Sequence, residues 1–392
     1  MNSSNQNVDS DPDSANLSGA LCERLGTDAA RCDDPAFVAQ ALSDSGLLHL
    51  LVPRHFGGLQ QGWQDLVQIT GEVARTSGSA AWLLAEYGIN AALLARMNSQ
   101  VQEEVWVAPA NQAIALAWYP VKVECRSAEG GNQVSGTWKH VAGAAHADWV
   151  LALTDPVDLQ DMDGQSGPTA LLIPREALDT DELDHLGGLR GAGIQNIAAN
   201  NLFVPDTRTV DFANLLGIAT TASGPDSAAG IPFLEPWLCA QLGSMLGCAW
   251  GGYEEYRAIT SRWVAGIGGT KVASLTQVQS RLAHTKTELK LASLLTDDLL
   301  SHLRADTGSQ PATKWDLAAD RSQIAQLCLQ AVTRLVQQMG ARGLFENNPL
   351  QRRFRDLRVM VGHPAFAWQE HMAALGRQEL GLPDEDQHGS MG

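Results

Sequence analysis

Met339-Gly-Ala-Arg-Gly-Leu-Phe-Glu-Asn-Asn-Pro349-Leu-Gln-Arg-Arg-Phe-Arg355-Asp356, followed seven residues on by His363 in His363-Pro-Ala-Phe-Ala-Trp368, is the stretch around which the chain is organised. A glycine-rich break between two helical runs exposes backbone N–H groups, and such groups at a helix start can hold a phosphate. With Arg352, Arg353 and Arg355 just beyond it, the break reads as a site for an anionic cofactor. Spacing alone favours a C-cap glycine, a turn and a solvated basic helix face.

Working outward, 392 residues with 44% hydrophobic and 18% charged side chains give a globular chain long enough for two or three buried cores. The net charge of −17 opposes nucleic acid or an anionic membrane as partner, because both would repel it. Cys22, Cys32, Cys125, Cys239, Cys248 and Cys328 form no CxxC pair and are expected as reduced, packed thiols of a cytoplasmic protein. Residues 1–18 carry neither a basic start nor an apolar segment, and are expected as a disordered tail. No apolar run reaches the roughly 18 residues of a membrane span.

The hydrophobic period divides the remainder. Residues 19–110 read as a helical domain, with Phe37–Leu42, Trp63–Thr76 and the small-residue run Ala80–Tyr87 at helical spacing. Residues 111–216 change to short runs rich in β-branched and aromatic residues, separated by Gly, Pro, Asp and Asn. Within them, 155–167 is a polar loop, and 217–230 reads as a linker. Helices return over 231–384: Leu234–Tyr256 is rich in small residues, and Thr276–Leu303 and Trp315–Met339 follow before a tail at 385–392. Gly187-Gly-Leu-Arg-Gly-Ala-Gly193 lacks the βαβ surroundings of a dinucleotide fingerprint and reads as a turn. No HExxH, GxSxG or GxxxxGK[ST] is present, which removes the local chemistry of metalloprotease, serine hydrolase and nucleotide triphosphatase.

The order of helical, β and helical domains resembles the acyl-CoA dehydrogenase superfamily, and five segments carry that resemblance. Leu51-Val-Pro-Arg-His-Phe-Gly-Gly58 is similar to its "vPexyGG" turn and Gly78-Ser-Ala-Ala-Trp-Leu83 to its "gSaAWl" helix. The run from Val134 through Trp138, Ala142, Gly143 and His146 to Trp149 is similar to the "vsGrWxfxSGxxhadW" of its flavin-dependent monooxygenase branch. Gly188–Pro205 and the opening stretch resemble "GlrgTGS…vfVP" and "GgxglyexnPLqRxxRD". That branch includes dibenzothiophene, aromatic-ring and tropone-type oxygenases. The resemblance implies an α+β fold: an N-terminal helical domain, a central β-barrel domain and a C-terminal four-helix bundle, assembled as a homotetramer (a dimer of dimers). It also implies flavin, with FAD favoured over FMN. Trp118, Tyr119, Trp138, Ala142 and Gly143 would border the flavin ring, and Arg262 and Gln279 would grip the cofactor. Gln337, Gly340, Ala341 and Gly343 would reach a neighbouring subunit's flavin.

Dehydrogenases of this superfamily usually carry a glutamate base shortly after the "RD" pair, where this chain has Val361-Gly-His-Pro-Ala. Glu235 matches the alternative base position of a minority, and equally suits the start of a helix. His363-Pro-Ala-Phe-Ala-Trp368 instead resembles the "HDPxAW" of the monooxygenases, and an imidazole can accept a phenolic proton near neutral pH. Ala142 replaces the serine that supports the flavin edge in that branch, which brings His140, His146 and Tyr87 forward as substitutes. The expectation is an oxygenase in which reduced flavin, from a separate reductase, and O2 form a C4a-hydroperoxide or related adduct. It would hydroxylate or epoxidise a small aromatic or CoA-thioester substrate lying near His363, Trp368 and Tyr87. The alternatives are a dehydrogenase using Glu235 and a non-catalytic interaction protein.

Overall fold

The computed structural model describes residues 12–107, 112–157, 167–183, 186–217, 233–265, 269–303 and 312–382. Residues 1–11 of the expected tail, 158–166 of the acidic loop, 218–230 of the linker and the tail at 385–392 lie outside the described residues. The chain forms two compact units, 1–248 and 249–392.

Unit 1 opens with five helices: α1 (Pro12–Thr27), α2 (Pro35–Ser45), α3 (Trp63–Ala74), α4 (Gly78–Leu94) and α5 (Ser99–Trp106). Residues 12–18, expected in the tail, are instead the first turns of α1. Ser14 and Ser18 are buried there, and Ser18 Oγ donates to Glu72 Oε2 of α3 at 2.7 Å. Asp34 caps α2 by accepting from the Ala36 N–H, and Gly46 ends it in the left-handed region. Ser77 caps α4, whose small and apolar residues are buried on almost every side, as its sequence predicts.

Eight strands follow: β1 (Ile114–Ala117), β2 (Pro120–Ala128), β3 (Gly131–Val141), β4 (Trp149–Leu153), β5 (Thr169–Pro174), β6 (Asp179–Glu182), β7 (Gln195–Pro205) and β8 (Thr209–Asp211). The central β-domain is built of two four-stranded sheets, ordered β1-β4-β5-β8 and β2-β3-β7-β6. β1 pairs with β4 in parallel and every other pair in these two sheets is antiparallel. The first sheet is an apolar layer, with β1 buried throughout. Trp138 of β3 ties the two together by donating from Nε1 to the Leu153 carbonyl of β4 at 2.7 Å. Short helices α6 (Phe212–Leu216) and α7 (Leu234–Cys239) and the start of α8 (Leu242–Arg262) complete the unit. The small-residue run read from sequence has a specific use here: a Cβ on Gly243 would stand 1.9 Å from the Val67 carbonyl oxygen, and one on Gly247 2.0 Å from that of Gly71. Only glycine lets α8 cross α3 at this separation.

Unit 2 contains the rest of α8, a short ribbon of β9 (Val264–Ala265) and β10 (Thr270–Lys271), and helices α9 (Thr276–His302), α10 (Lys314–Gln338), α11 (Pro349–Met360) and α12 (Trp368–Glu379). α10 is its central helix, started by a capping box of Thr313 and Asp316. Arg334 of α10 forks onto Glu288 of α9, with Nη2 to Oε1 at 2.7 Å. Ser322 of α10 meets His371 of α12, Oγ to Nδ1, at 2.6 Å. Arg353 of α11 pairs with Glu255 of α8 at 3.0 Å while only 2% of its side chain stays exposed. That corrects the basic-face reading of the opening stretch: Arg353 is an internal strut, and Arg355 pairs with Glu346. All six cysteines are free thiols, four of them buried. Among the described residues no helix is long and apolar enough to cross a membrane.

Candidate functional site

In unit 1 the candidate residues gather where α4 meets the β-sheets. Tyr87 lies on α4, 3% exposed, and its hydroxyl donates to the Gly143 carbonyl at 2.8 Å. Burial raises its pKa, with the charges of Asp148 and Glu86 adding to the effect, so the hydroxyl remains a proton donor. The Gly143 N–H donates to Ala192 O at 2.9 Å, which fixes the Ala142–Gly143 turn from its other side. Gly143 has φ +76°, and a Cβ there would strike the Tyr87 hydroxyl at 2.5 Å. One turn further along α4, Asn90 donates from Nδ2 to Ile114 O of β1 at 3.0 Å.

Beyond β1, Trp118 and Tyr119 lie edge to face with centroids 6.5 Å apart. The Tyr119 ring is 6.4 Å from that of His140, whose φ of +57° falls where the β3–β7 register shifts. His140 is exposed, as is His146 in the turn after Gly143, whereas Trp138 is fully buried. Glu235 occupies the first turn of α7, half-buried.

Sequence reasoning passed over Glu86. Its Oε1 accepts from Gln241 Nε2 at 2.9 Å, and burial raises its pKa to about 7 against the weaker opposing effect of that bond. The signal was present: it is the only charged residue of a mostly apolar helix.

In unit 2, His363 caps the turn Pro364–Phe366, and its Nδ1 accepts the Ala365 N–H at 3.2 Å. An Nδ1 that accepts leaves the ring proton on Nε2. Desolvation lowers its pKa to about 4. Trp368, at the start of α12, donates from Nε1 to Gln323 Oε1 at 2.9 Å and lines a recess of about 500 Å³ with Gln326, Gln330 and Phe366.

A second recess of unit 2, about 470 Å³, is lined by Ala258, Ile259, Arg262, Trp263, Val264 and Arg342. The Arg342 guanidinium stands 4.7 Å over the Trp263 ring, and among the described residues neither Arg342 nor Arg262 is in an ion pair. Two uncompensated guanidiniums on an apolar and aromatic floor suit a ligand with both phosphates and a planar ring, as a flavin dinucleotide has. Gly340, φ +58°, and Ala341 and Gln337 are exposed beside Arg342, while Gly343 is buried. Gln279 is exposed on α9 and donates to Ala273 O at 2.9 Å. Trp263 and Arg342 were missed in the sequence, although Arg342 lies inside the opening stretch. Among the described residues no cluster suits a metal ion.

Two family models match the chain: "Acyl-CoA dehydrogenase, N-terminal domain" over residues 22–112 and "Acyl-CoA dehydrogenase, C-terminal domain" over 239–368. A pigment production hydroxylase of a Rhodococcus species is 28% identical over 354 residues, spanning 88% of this chain and 89% of its own. The oxygenase component of an FADH2-dependent resorcinol hydroxylase from a Rhizobium species is 26% identical over 376 residues, 90% of each chain. The crystal structure of a 3-HSA hydroxylase from Rhodococcus sp. RHA1 superposes with a TM-score of 0.81 at 24% identity, covering 95% of this chain and 98% of that one.

Proposed function

The chain belongs to the acyl-CoA dehydrogenase family, and from that premise we propose that it is the oxygenase component of a two-component flavin-dependent monooxygenase acting on a small aromatic substrate. The observation that carries this reading is His363, kept neutral by burial and oriented by the Ala365 N–H, where the resemblance leads a dehydrogenase to need a carboxylate. A donor at that position hydrogen-bonds an oxygen; it does not abstract the α-proton of a thioester.

Reduced flavin, delivered by a separate reductase, supplies two electrons when bound, so that one atom of O2 passes to the substrate and the other leaves as water. Arg262 and Arg342 would hold its phosphates, and the exposed backbone at Gly340 and Ala341 with Gln337 lies beside Arg342. FAD is favoured over FMN because this recess offers two cations and a ring face. On unit 1, Trp118, Tyr119, Ala142 and Gly143 are the residues that would face a flavin ring, with Tyr87 fixing the Ala142–Gly143 turn through its bond to the Gly143 carbonyl; Trp138, fully buried and bonded to the Leu153 carbonyl, holds the two sheets together instead. On unit 2, the His363 imidazole is the group that would hydrogen-bond the reacting oxygen. The assembly is a homotetramer: Leu344 and Phe345, 71% and 62% exposed beside the arginine recess, are the surface a second copy covers.

The test is aerobic turnover with a flavin reductase and a panel of phenols. Hydroxylated product, with oxidised flavin left unbleached by acyl-CoA thioesters, is expected. Bleaching by an acyl-CoA, abolished by Glu235→Gln, would establish the dehydrogenase instead. Arg262→Ala and Arg342→Ala should each weaken reduced FAD about tenfold, the equivalent of one charge-assisted hydrogen bond, and affect FMN less.

A further inference from the structure

Glu86 is out of place as a structural residue. It sits in Trp82-Leu-Leu-Ala-Glu86-Tyr87, the only charged residue of a mostly apolar helix, and among the described residues no cation faces it. A desolvated carboxylate without a cation destabilises a fold, and a glutamine would make the same link to Gln241 without that cost.

Its two oxygens are differently placed. Gln241 Nε2 donates both to Glu86 Oε1 at 2.9 Å and to the Trp82 carbonyl at 3.2 Å. The Trp82 carbonyl fixes the amide, because a flipped amide would set oxygen against oxygen. Gln241 is therefore a donor, and Oε1 is held as an acceptor. Oε2 has no protein donor among the described residues, and the side chain keeps part of its surface accessible despite its strong desolvation. Oε2 is thus the carboxyl oxygen left to meet a ligand, while Oε1 is fixed by Gln241. The neighbouring Tyr87 is bonded to the Gly143 carbonyl and Asn90, one turn on, to β1, so the segment bearing Glu86 is pinned beside the Ala142–Gly143 turn.

We infer that Glu86 Oε2 accepts the hydroxyl proton of a phenolic substrate, with Gln241 as its positioning residue; this rests on the monooxygenase reading above. In the step, the phenol O–H bond breaks and the proton passes to Oε2. The electron pair remains on the substrate oxygen and enriches the ring carbon that receives oxygen from the reduced flavin and O2. After oxygen transfer that carbon loses its C–H proton and the ring becomes aromatic again. His363 does not serve as this base, because its Nε2 already carries a proton and its cation is disfavoured. A carboxyl with a pKa of about 7 is matched to accept a proton near neutral pH. The titratable groups that act with it are Tyr87, on the same helix, and Asp148, which bears on Tyr87 and accepts the Ala113 N–H at 2.7 Å. Both are acids, so neither lowers the carboxyl's proton affinity.

The experiment compares wild type, Glu86→Gln and Gln241→Leu in reductase-coupled hydroxylation from pH 5.5 to 9.5, with binding of reduced FAD measured alongside. Wild type should lose activity as pH falls through about 7, where Glu86 takes up a proton. Glu86→Gln should lose about 100-fold at pH 7.5, the ordinary contribution of a general base, without that acidic limb and with unchanged flavin affinity. The deficit should close for phenols with electron-withdrawing substituents, which are ionised before they bind. Gln241→Leu removes a bond that lowers the carboxyl pKa, so its acidic limb should move to higher pH. The inference is overturned if Glu86→Gln keeps the wild-type pH profile, or if its deficit is the same for pre-ionised phenols, since a packing defect would not depend on substrate ionisation. A wild type that hydroxylates no phenol overturns the monooxygenase reading itself, and the inference with it.

Discussion

Replacing Tyr87 with phenylalanine separates positioning from chemistry at the Ala142–Gly143 turn. The substitution keeps the ring in its buried site and removes one hydrogen bond, from the hydroxyl to the Gly143 carbonyl. That carbonyl also accepts the His146 N–H at 3.0 Å, so it is not orphaned in the variant. The cost therefore lies within the range of a single neutral bond, about 1 kcal/mol, rather than that of an unsatisfied buried acceptor. In a unit of this size that lowers Tm by roughly 2–4 °C. If the lost order of the turn were transmitted wholly to cofactor affinity, Kd for reduced flavin would rise about fivefold, since 1.4 kcal/mol is tenfold. The hydroxyl pKa is pushed up, so it is protonated across the working pH range and the ratio of variant to wild type should not change with pH. Thermal unfolding, flavin titration and kcat at two pH values measure the three consequences. A hundredfold fall in kcat with unaltered flavin affinity would refute the reasoning, because it would make Tyr87 a participant in proton transfer and not a support.

Gly243→Ala brings its methyl group into the Val67 carbonyl at the α8–α3 crossing and should destabilise by about 1–3 kcal/mol, read as a lower denaturant midpoint. Arg353→Met leaves Glu255 without its buried partner and should cost about 3–5 kcal/mol, with much of the loss recovered in the double variant Arg353→Met/Glu255→Leu. His363 and His371 both have folded pKa values lowered to about 4 by burial, against a usual 6.5. Between these values the unfolded chain binds more protons than the folded one, so their contribution is full above pH 6.5 and is lost as pH falls towards 4. Replacing His371 with Asn should flatten this part of the stability profile; an unchanged slope would mean that the ring is protonated in the fold.

What could be read from the sequence followed from local periodicity. The change from helical spacing to short β-branched runs near residue 112 marks β1, and the small residues of 242–248 foretell a close helix crossing whose partner, α3, lies over 160 residues earlier in the chain. Non-local pairing was not legible: the division of the central β-domain into two four-stranded sheets is set by strand partners far apart in the chain. Charges misled in both directions. Arg353 has the local pattern of a solvated helix face, and only the approach of Glu255 from α8 makes it interior. Glu86 was absorbed into a helix read as core, because a sequence does not tell which face of a mostly apolar helix a carboxyl occupies. The proton on His363 depends on a turn geometry, Nδ1 against the Ala365 N–H, that no residue pattern specifies.

The recess of Arg262 and Arg342 lies on a chain whose formal charge is −17, and a dinucleotide is itself an anion. Beyond the Debye length, about 8 Å at physiological ionic strength, an incoming cofactor feels mainly the repulsive field of the whole molecule; the two guanidiniums act only over the last few ångströms. Moderate salt should therefore quicken the encounter while weakening the bound state. Capture and retention of the cofactor would then respond to ionic strength in opposite senses.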